Sequence, residues 1–247
     1  MAEYDFKAGK ERIDEILNSE LEVIENEKIP SDNNLTFLNA YYSWVTAIFV
    51  DIRDSSTLFT KQNNKVVAKV IRSFTSEVIE ILRQPEIIRE IGIRGDCVYG
   101  IYTTPDKNDI YEVLDMAFYI NTFMNMLNKL FELWKYPNIK VGIGLSSAKE
   151  LVVKAGRKDT GINSKVWIGK AVTTASNLSS LANKNGYSSI ILTPVTYDNT
   201  IDILVKRNGE KAKDWFLKSF SYEYGELYGC SIIKKEFLDW INEGMKK

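Results

Sequence analysis

The sequence predicts an α+β domain, one sheet with helices laid on it. Three observations carry this. The run Val45–Val50 is apolar, β-branched and aromatic, too short for a helix, and it stops at Asp51 just before a hydroxyl-rich helix start. The segment Arg89–Tyr102, REIGIRGDCVYGIY, sets two apolar strands about Gly95-Asp96, a dipeptide suited to a tight hairpin because glycine accepts positive φ. Two long stretches with apolar residues at helical spacing lie between and after these strands.

In order along the chain, Lys7 to Asn26 reads as an amphipathic helix through Ile13, Ile16, Leu17, Leu21 and Ile24, expected to pack on the domain. Ile29–Leu35 is a polar connector, and the chain then enters the strand region Phe37–Val50. Ser55 to Leu82 reads as one long helix, with Val66, Val70, Phe74, Val78 and Ile81 facing the core. After the hairpin, Thr104-Pro105-Asp106 is a turn and cap, and a helix follows from Ile110 to Trp134 with Val113, Ala117, Ile120, Met124 and Leu127 on one face. Asn138–Leu145 and Leu151–Ala155 read as two strands separated by Ser146–Glu150. Asp159–Ser164 is a loop, Gly169–Ala182 a helix of small residues, Ile190–Leu192 a strand, Thr193-Pro194 the start of a short helical piece, and Lys234–Lys246 a terminal helix. This order fits a ferredoxin-like βαββαβ core. The expected organisation is an N-terminal helix and connector over 1–36, a single domain over 37–200, and a C-terminal extension with a terminal helix over 201–247.

Composition narrows the function classes. Lysine plus arginine, at 32, nearly balance aspartate plus glutamate, at 33, so bulk charge gives no reason to expect nucleic acid as a partner. The 2 cysteines, Cys97 and Cys230, make no disulfide framework and no zinc spacing. Met1–Lys10 is polar where a secretory segment needs an apolar stretch, and no run approaches the roughly 20 apolar residues of a membrane span. The expected setting is the reducing cytoplasm, without membrane attachment. With 0 histidines, imidazole bases and Ser-His or Cys-His nucleophiles are excluded, leaving carboxylates, metal, lysine and arginine.

Asp51 alone would suit a helix cap, and Asp96 alone a turn. As a pair at the ends of neighbouring strands they suit a hard cation that keeps waters and a phosphate in its shell. At these residues the chain resembles the class III nucleotidyl cyclases: DIRDSS is similar to their first metal motif and IRGDCVYGIY to their second. KVGIGLSSAKELVVKAGR resembles the strand-turn-strand block of that family, and VWIGKAVTTASNLSSLA its glycine-led helix, so four ordered blocks span Tyr42 to Leu192.

The resemblance implies a head-to-tail homodimer and two divalent cations, Mg²⁺ or Mn²⁺, held by Asp51, Asp96 and the backbone carbonyl of Ile52. It implies phosphate binding by the amides of Ser55 and Ser56, at a helix N-terminus. The family's transition-state asparagine and arginine correspond to Thr173 and Asn177 here. The missing cation at Asn177 leaves Lys170, Lys149 and Lys154 as candidate replacements. The purine-reading positions correspond to Gly92 and to Val166 or Trp167, so neither family reader is present.

Arg94 shares a strand face with Asp96 and offers only donors, which suits uracil carbonyls better than the amine of cytosine. Trp44, Phe49 and Tyr42 are the aromatics expected to narrow the base pocket or stack in it. The chain resembles the small pyrimidine cyclases of bacterial Pycsar anti-phage systems, also in its closing EYGELYGCSIIKKEFLDWI. That likeness implies synthesis of cyclic UMP or cyclic CMP, acting through a separate cyclic-nucleotide-binding effector, and the donors of Arg94 make UTP the expected substrate. The alternatives are a cytidylate cyclase, an adenylate cyclase, or a non-catalytic nucleotide-binding module.

Overall fold

The structure is a computed structural model and describes residues 3–158 and 160–246. Its strands are β1 (Glu22–Glu25), β2 (Asn39–Ile52), β3 (Ile88–Arg94), β4 (Cys97–Thr103), β5 (Val141–Gly156), β6 (Asn163–Gly169), β7 (Ile190–Leu192), β8 (Leu217–Ser221) and β9 (Gly225–Cys230). Its helices are α1 (Phe6–Asn18), α2 (Ser55–Lys61), α3 (Asn64–Leu82), α4 (Lys107–Leu133), α5 (Lys170–Leu181), α6 (Pro194–Asn208) and α7 (Lys235–Asn242). The strands form one mixed sheet in the order β3-β4-β2-β5-β7-β9-β8, with β1 beside β2 and β6 beside β5. The expected α+β order of strand, helix, hairpin, helix, strand is present. The flanking segments join the same sheet, β1 from 1–36 and β8 and β9 from 201–247.

Helices cover both faces of this sheet. Ile48, Val50 and Ile52 of β2 point into a core shared with Val70, Phe74 and Val78 of α3 and Val113, Ala117 and Ile120 of α4. Val45, Ala47 and Phe49 point the other way, toward Ala171 and Ala175 of α5. A strand buried on both sides reads as a continuous apolar run, not an alternating one, which explains Val45–Val50. β2 pairs antiparallel with β5 without a break from Ala40↔Val153 to Ile52↔Val141.

Glycines set how closely α5 lies on the sheet. A Cβ on Gly142 would stand 2.3 Å from the Ser179 carbonyl oxygen, and one on Gly144 would stand 2.2 Å from that of Ala175. The helix thus rests on bare main chain.

Four expectations are corrected. The helix over Lys7 to Asn26 ends at Asn18, where the Ser19 hydroxyl bonds the Ile16 carbonyl at 2.7 Å, and residues 22–25 become β1. Ile13, Ile16 and Leu17 are exposed, so the stripe does not pack on the domain. The helix over Ser55–Leu82 is two helices, because Asn63 caps a new start by accepting from the Val66 amide at 3.0 Å. Ser146–Glu150 does not interrupt β5: Ser147 Oγ is hydrogen-bonded to Thr46 Oγ1 at 2.8 Å and to Thr196 Oγ1 at 3.0 Å, so the polar residue is satisfied inside the sheet. Of the loop expected over Asp159–Ser164, Asp159 lies outside the described residues, while Asn163 and Ser164 already belong to β6. Among the described residues no helix is long and apolar enough to cross a membrane.

The close seating of α5 gives the first prediction. Gly144→Ala, which drives a Cβ into helix main chain, destabilises the fold by about 3 kcal/mol, the upper range for overpacking a core. Urea unfolding followed by circular dichroism measures the loss.

Candidate active site

Asp51 ends the apolar run of β2, directly opposite Cys97 on β4 and Gly142 on β5. Its side chain shares the sheet face of Phe49, the face that α5 covers. Arg94 pairs with Cys97, so Gly95 and Asp96 form a two-residue turn, with Gly95 in the left-handed region at φ 64°. Burial raises the Asp51 carboxyl above the usual range and Asp96 adds to the rise, while Arg53 and Lys184 oppose it. Asp51 thus feels the charge of Asp96 across the β2–β4 strand ends.

Backbone groups along an antiparallel strand alternate sides. Arg53 donates its N–H to the Lys140 carbonyl, on the β5 side, at 2.8 Å, so the polar groups of Ile52 turn to the β4 side. β4 begins only at Cys97, opposite Asp51, and the Ile52 carbonyl opens on the Gly95-Asp96 turn. Two carboxylates and a carbonyl make an all-oxygen set that fits a hard divalent cation and leaves positions for phosphate oxygens. Among the described residues no three His, Cys, Asp or Glu side chains form a closed cage.

The chain then turns through Asp54 at φ 54° into α2. Among the described residues the amides of Ser55 and Ser56 have no protein acceptor and open beside the acids.

Beyond Phe49 the same face carries a polar-aromatic cluster. The Phe49 and Tyr99 rings stack with centroids 5.0 Å apart. The Tyr99 hydroxyl donates to Glu90 Oε1 at 2.8 Å, and the Trp167 indole N–H donates to Glu90 Oε2 at 2.8 Å. Gly92 faces Tyr99, and a Cβ there would stand 2.3 Å from that ring, so Tyr99 fills the room a side chain at position 92 would need. Burial and the bond to Glu90 push the Tyr99 hydroxyl up to about 12, against the nearby positive charge of Arg94. Arg94 is exposed and forms no ion pair among the described residues.

Other expected site residues lie elsewhere. Trp44 and Tyr42 fall on the opposite face of β2 from Phe49 and Asp51, because successive strand residues alternate. They line a surface hollow with Glu25 and Asp106. Lys149, opposite Trp44 on β5, forms an ion pair with Glu25 and sits 5.5 Å from the Tyr42 ring centre. These three do not join the acids. Lys154 sits 5.6 Å from the ring centre of Phe37, and Val166 points away from its neighbour Trp167. Lys170, Thr173 and Asn177 are exposed on α5; the Thr173 hydroxyl donates back to the Gly169 carbonyl at 3.0 Å, and Asn177 faces the Tyr224 hydroxyl.

Besides Arg53, three residues escaped the sequence reading. Glu90 and Tyr99 were visible only as alternate positions on the hairpin face. The third, Glu150, is fully buried in β5 and holds the start of α5: Oε1 accepts from the amide of Ala171, while Oε2 has no partner. Burial raises its carboxyl above the usual range, against the helix amides it accepts from. A Cβ on Gly169 would stand 2.6 Å from Glu150 Oε1, so the glycine makes room for the carboxylate. An acid inside an apolar strand was the available signal.

Paired carboxylates at one strand end, amides at the start of α2 and a helix seated over the neighbouring strand are the parts that a metal-assisted phosphate-handling enzyme uses. The chain belongs to the adenylate and guanylate cyclase catalytic domain family, which matches residues 39–211. It is 56% identical to a uridylate cyclase of Treponema porcinum over 98% of this chain and 82% of that protein. It is 30% identical to a uridylate cyclase of Gulbenkiania mobilis over 97% and 96% of the two chains. Its fold superposes on the adenylyl cyclase CyaB of P. aeruginosa with a TM-score of 0.61 at 17% identity, covering 77% of this chain and 95% of that one. The nucleotide cyclase class and the α+β cyclase fold expected from the sequence both stand.

The cap on α5 gives the second prediction. Glu150→Ala lowers the free energy of unfolding by about 1–2 kcal/mol, as for loss of a helix cap. Gly169→Ala lowers it too, through the close approach to Glu150. The double variant costs less than the sum, because the clash needs both side chains. Urea titrations of the four proteins test this.

Proposed function

We propose that this chain converts UTP to 3′,5′-cyclic UMP and pyrophosphate. The observation that supports the reading is the shared face of Asp51, Phe49, Tyr99 and Glu90, where a short base would lie beside the paired acids. At position 92, a purine-reading position of the family, there is no side chain, and Tyr99 takes the room. Glu90 keeps lone pairs free after accepting from Tyr99 and Trp167, and can accept from the N3–H of uracil. Arg94 supplies donors for a uracil carbonyl. Cytosine presents an acceptor at N3 and would meet the carboxylate with like polarity. The two uridylate cyclase relatives support the same substrate.

In the reaction the ribose 3′-oxygen attacks the α-phosphorus, its proton leaves to solvent, and the bond from the α-phosphorus to the bridging oxygen breaks to release pyrophosphate. Divalent cations, Mg²⁺ or Mn²⁺, would be held by Asp51, Asp96 and the Ile52 carbonyl; they would acidify the 3′-hydroxyl and neutralise the triphosphate. The Ser55 and Ser56 amides would bind phosphate oxygen. Thr173, Asn177 and Lys170 stand exposed on α5, where a second copy of the chain in a head-to-tail homodimer would receive them. Similarity to the Pycsar pyrimidine cyclases supports a signalling role in anti-phage defence, with cyclic UMP read by a separate effector.

Asp51→Ala and Asp96→Ala should each abolish cyclisation while the far-ultraviolet circular dichroism is unchanged; full turnover in either variant at ordinary metal concentration would exclude the metal site. With the four NTPs and Mn²⁺, mass spectrometry should show cyclic UMP as the main product. Arg94→Ala should reduce the preference for UTP over CTP roughly ten- to a hundredfold, the range for one charged hydrogen bond. A wild type that prefers CTP or ATP defeats the substrate assignment. Sedimentation at assay concentration should show a dimer.

A further inference from the structure

Arg53 follows the first metal acid by two residues and is buried, with only 6% of its surface exposed. A buried guanidinium is costly unless its donors are used. All three of its nitrogens are engaged. Nη2 donates to Asp51 Oδ2 and also to the Asp51 carbonyl at 3.2 Å; Nε donates to the same carbonyl at 3.3 Å. Nη1 donates to the carbonyl of Ser180, in the last turn of α5, at 2.8 Å. The left-handed turn at Asp54 carries the chain off toward α2, while the Arg53 side chain folds back along β2 to reach the acid and the helix end.

We propose that Arg53 is a positioning residue. It fixes Asp51 through one carboxylate oxygen, Oδ2, leaves Oδ1 for the cation, and ties the acid to the C-terminal end of α5. The inference rests on the metal-site reading given above. A planar fork does this and a point charge does not, since three nitrogens of fixed mutual geometry reach one carboxylate and two carbonyls.

The rival role is plain neutralisation of the acids. The two differ in sign. Removing a mere counter-charge from beside a cation site tightens metal binding; removing the clamp weakens it, as loss of a ligand-orienting partner does.

The test measures Mn²⁺ binding by electron paramagnetic resonance in the presence of 3′-deoxy-UTP, which cannot cyclise, alongside kcat and KM for UTP. Arg53→Lys, which keeps the charge and loses the fork, should bind Mn²⁺ about tenfold more weakly and lose about tenfold in kcat, with KM changed less than about threefold. Arg53→Met should also bind more weakly than wild type. Wild-type binding in Arg53→Lys, or tighter binding in Arg53→Met, overturns the proposal. Asp51→Ala separates the two levels. If it binds Mn²⁺ like wild type, the metal-site reading falls; if it fails while Arg53→Lys binds normally, only the role of Arg53 falls. Should neither Arg53 variant fold, the wild type still decides: its Arg53 Nε–H signal should stay protected from solvent exchange on loading with Mg²⁺, and its release on loading would overturn the clamp.

Discussion

The unbroken antiparallel pairing of β2 with β5 is the constraint on which the rest of the structure depends. It runs from Ala40↔Val153 to Ile52↔Val141, and its register puts Asp51 opposite Gly142. A slip by one residue would turn Asp51 toward the α3–α4 core and Val50 toward the site. The same register places two glycines of β5 beneath α5, so the helix comes down beside the acid at its C-terminal end. Asp51, the guanidinium of Arg53 that pairs with it and the helix with the candidate transition-state groups are all located by this one ladder.

Charge is arranged around that point by several protein groups. Asp51 and Asp96 repel one another, and the carbonyl end of α5 adds partial negative charge nearby. Arg53 and Lys184 oppose this from the helix side. At its other end α5 is held by a buried carboxylate, Glu150, on its first amides. The helix is thus bound by an acid at its positive end and a base at its negative end, each delivered by the β2–β5 pair or the turn that follows it.

Much of this was legible in the sequence, for identifiable reasons. Val45–Val50 read as a central strand because burial on both faces removes alternation, and Gly95-Asp96 read as a hairpin turn because the flanking runs pair across it. Trp44 and Tyr42 were misplaced because strand parity was not applied to β2: both stand at odd separations from Asp51 and so face the other way. Lys149 was misplaced because its partner, Glu25, lies in a segment read as helix. Ser19 stops that helix with a side-chain bond that periodicity cannot register. Arg53 was invisible because its role depends on folding back onto Asp51 and on a carbonyl of α5 far along the chain, and Glu150 showed only as an acid inside an apolar strand, its partner amide lying at Ala171. β6, β8 and β9 are short and partly exposed, so their hydrophobic pattern is weak.

The bare contact between α5 and the glycines of β5 has a consequence for how such an enzyme can diverge. Where helix and sheet are separated by side chains, each core substitution resets their distance by the volume gained or lost. Here main chain rests on main chain at Gly142 and Gly144, a mechanical stop indifferent to the identity of the surrounding aliphatic residues. Of the proposed base site, Tyr99 and Glu90 lie on β4 and β3, while Phe49 stands opposite Gly144 in the β2–β5 ladder. Side-chain exchange at Tyr99 and Glu90 therefore leaves the height of α5 above the sheet constant.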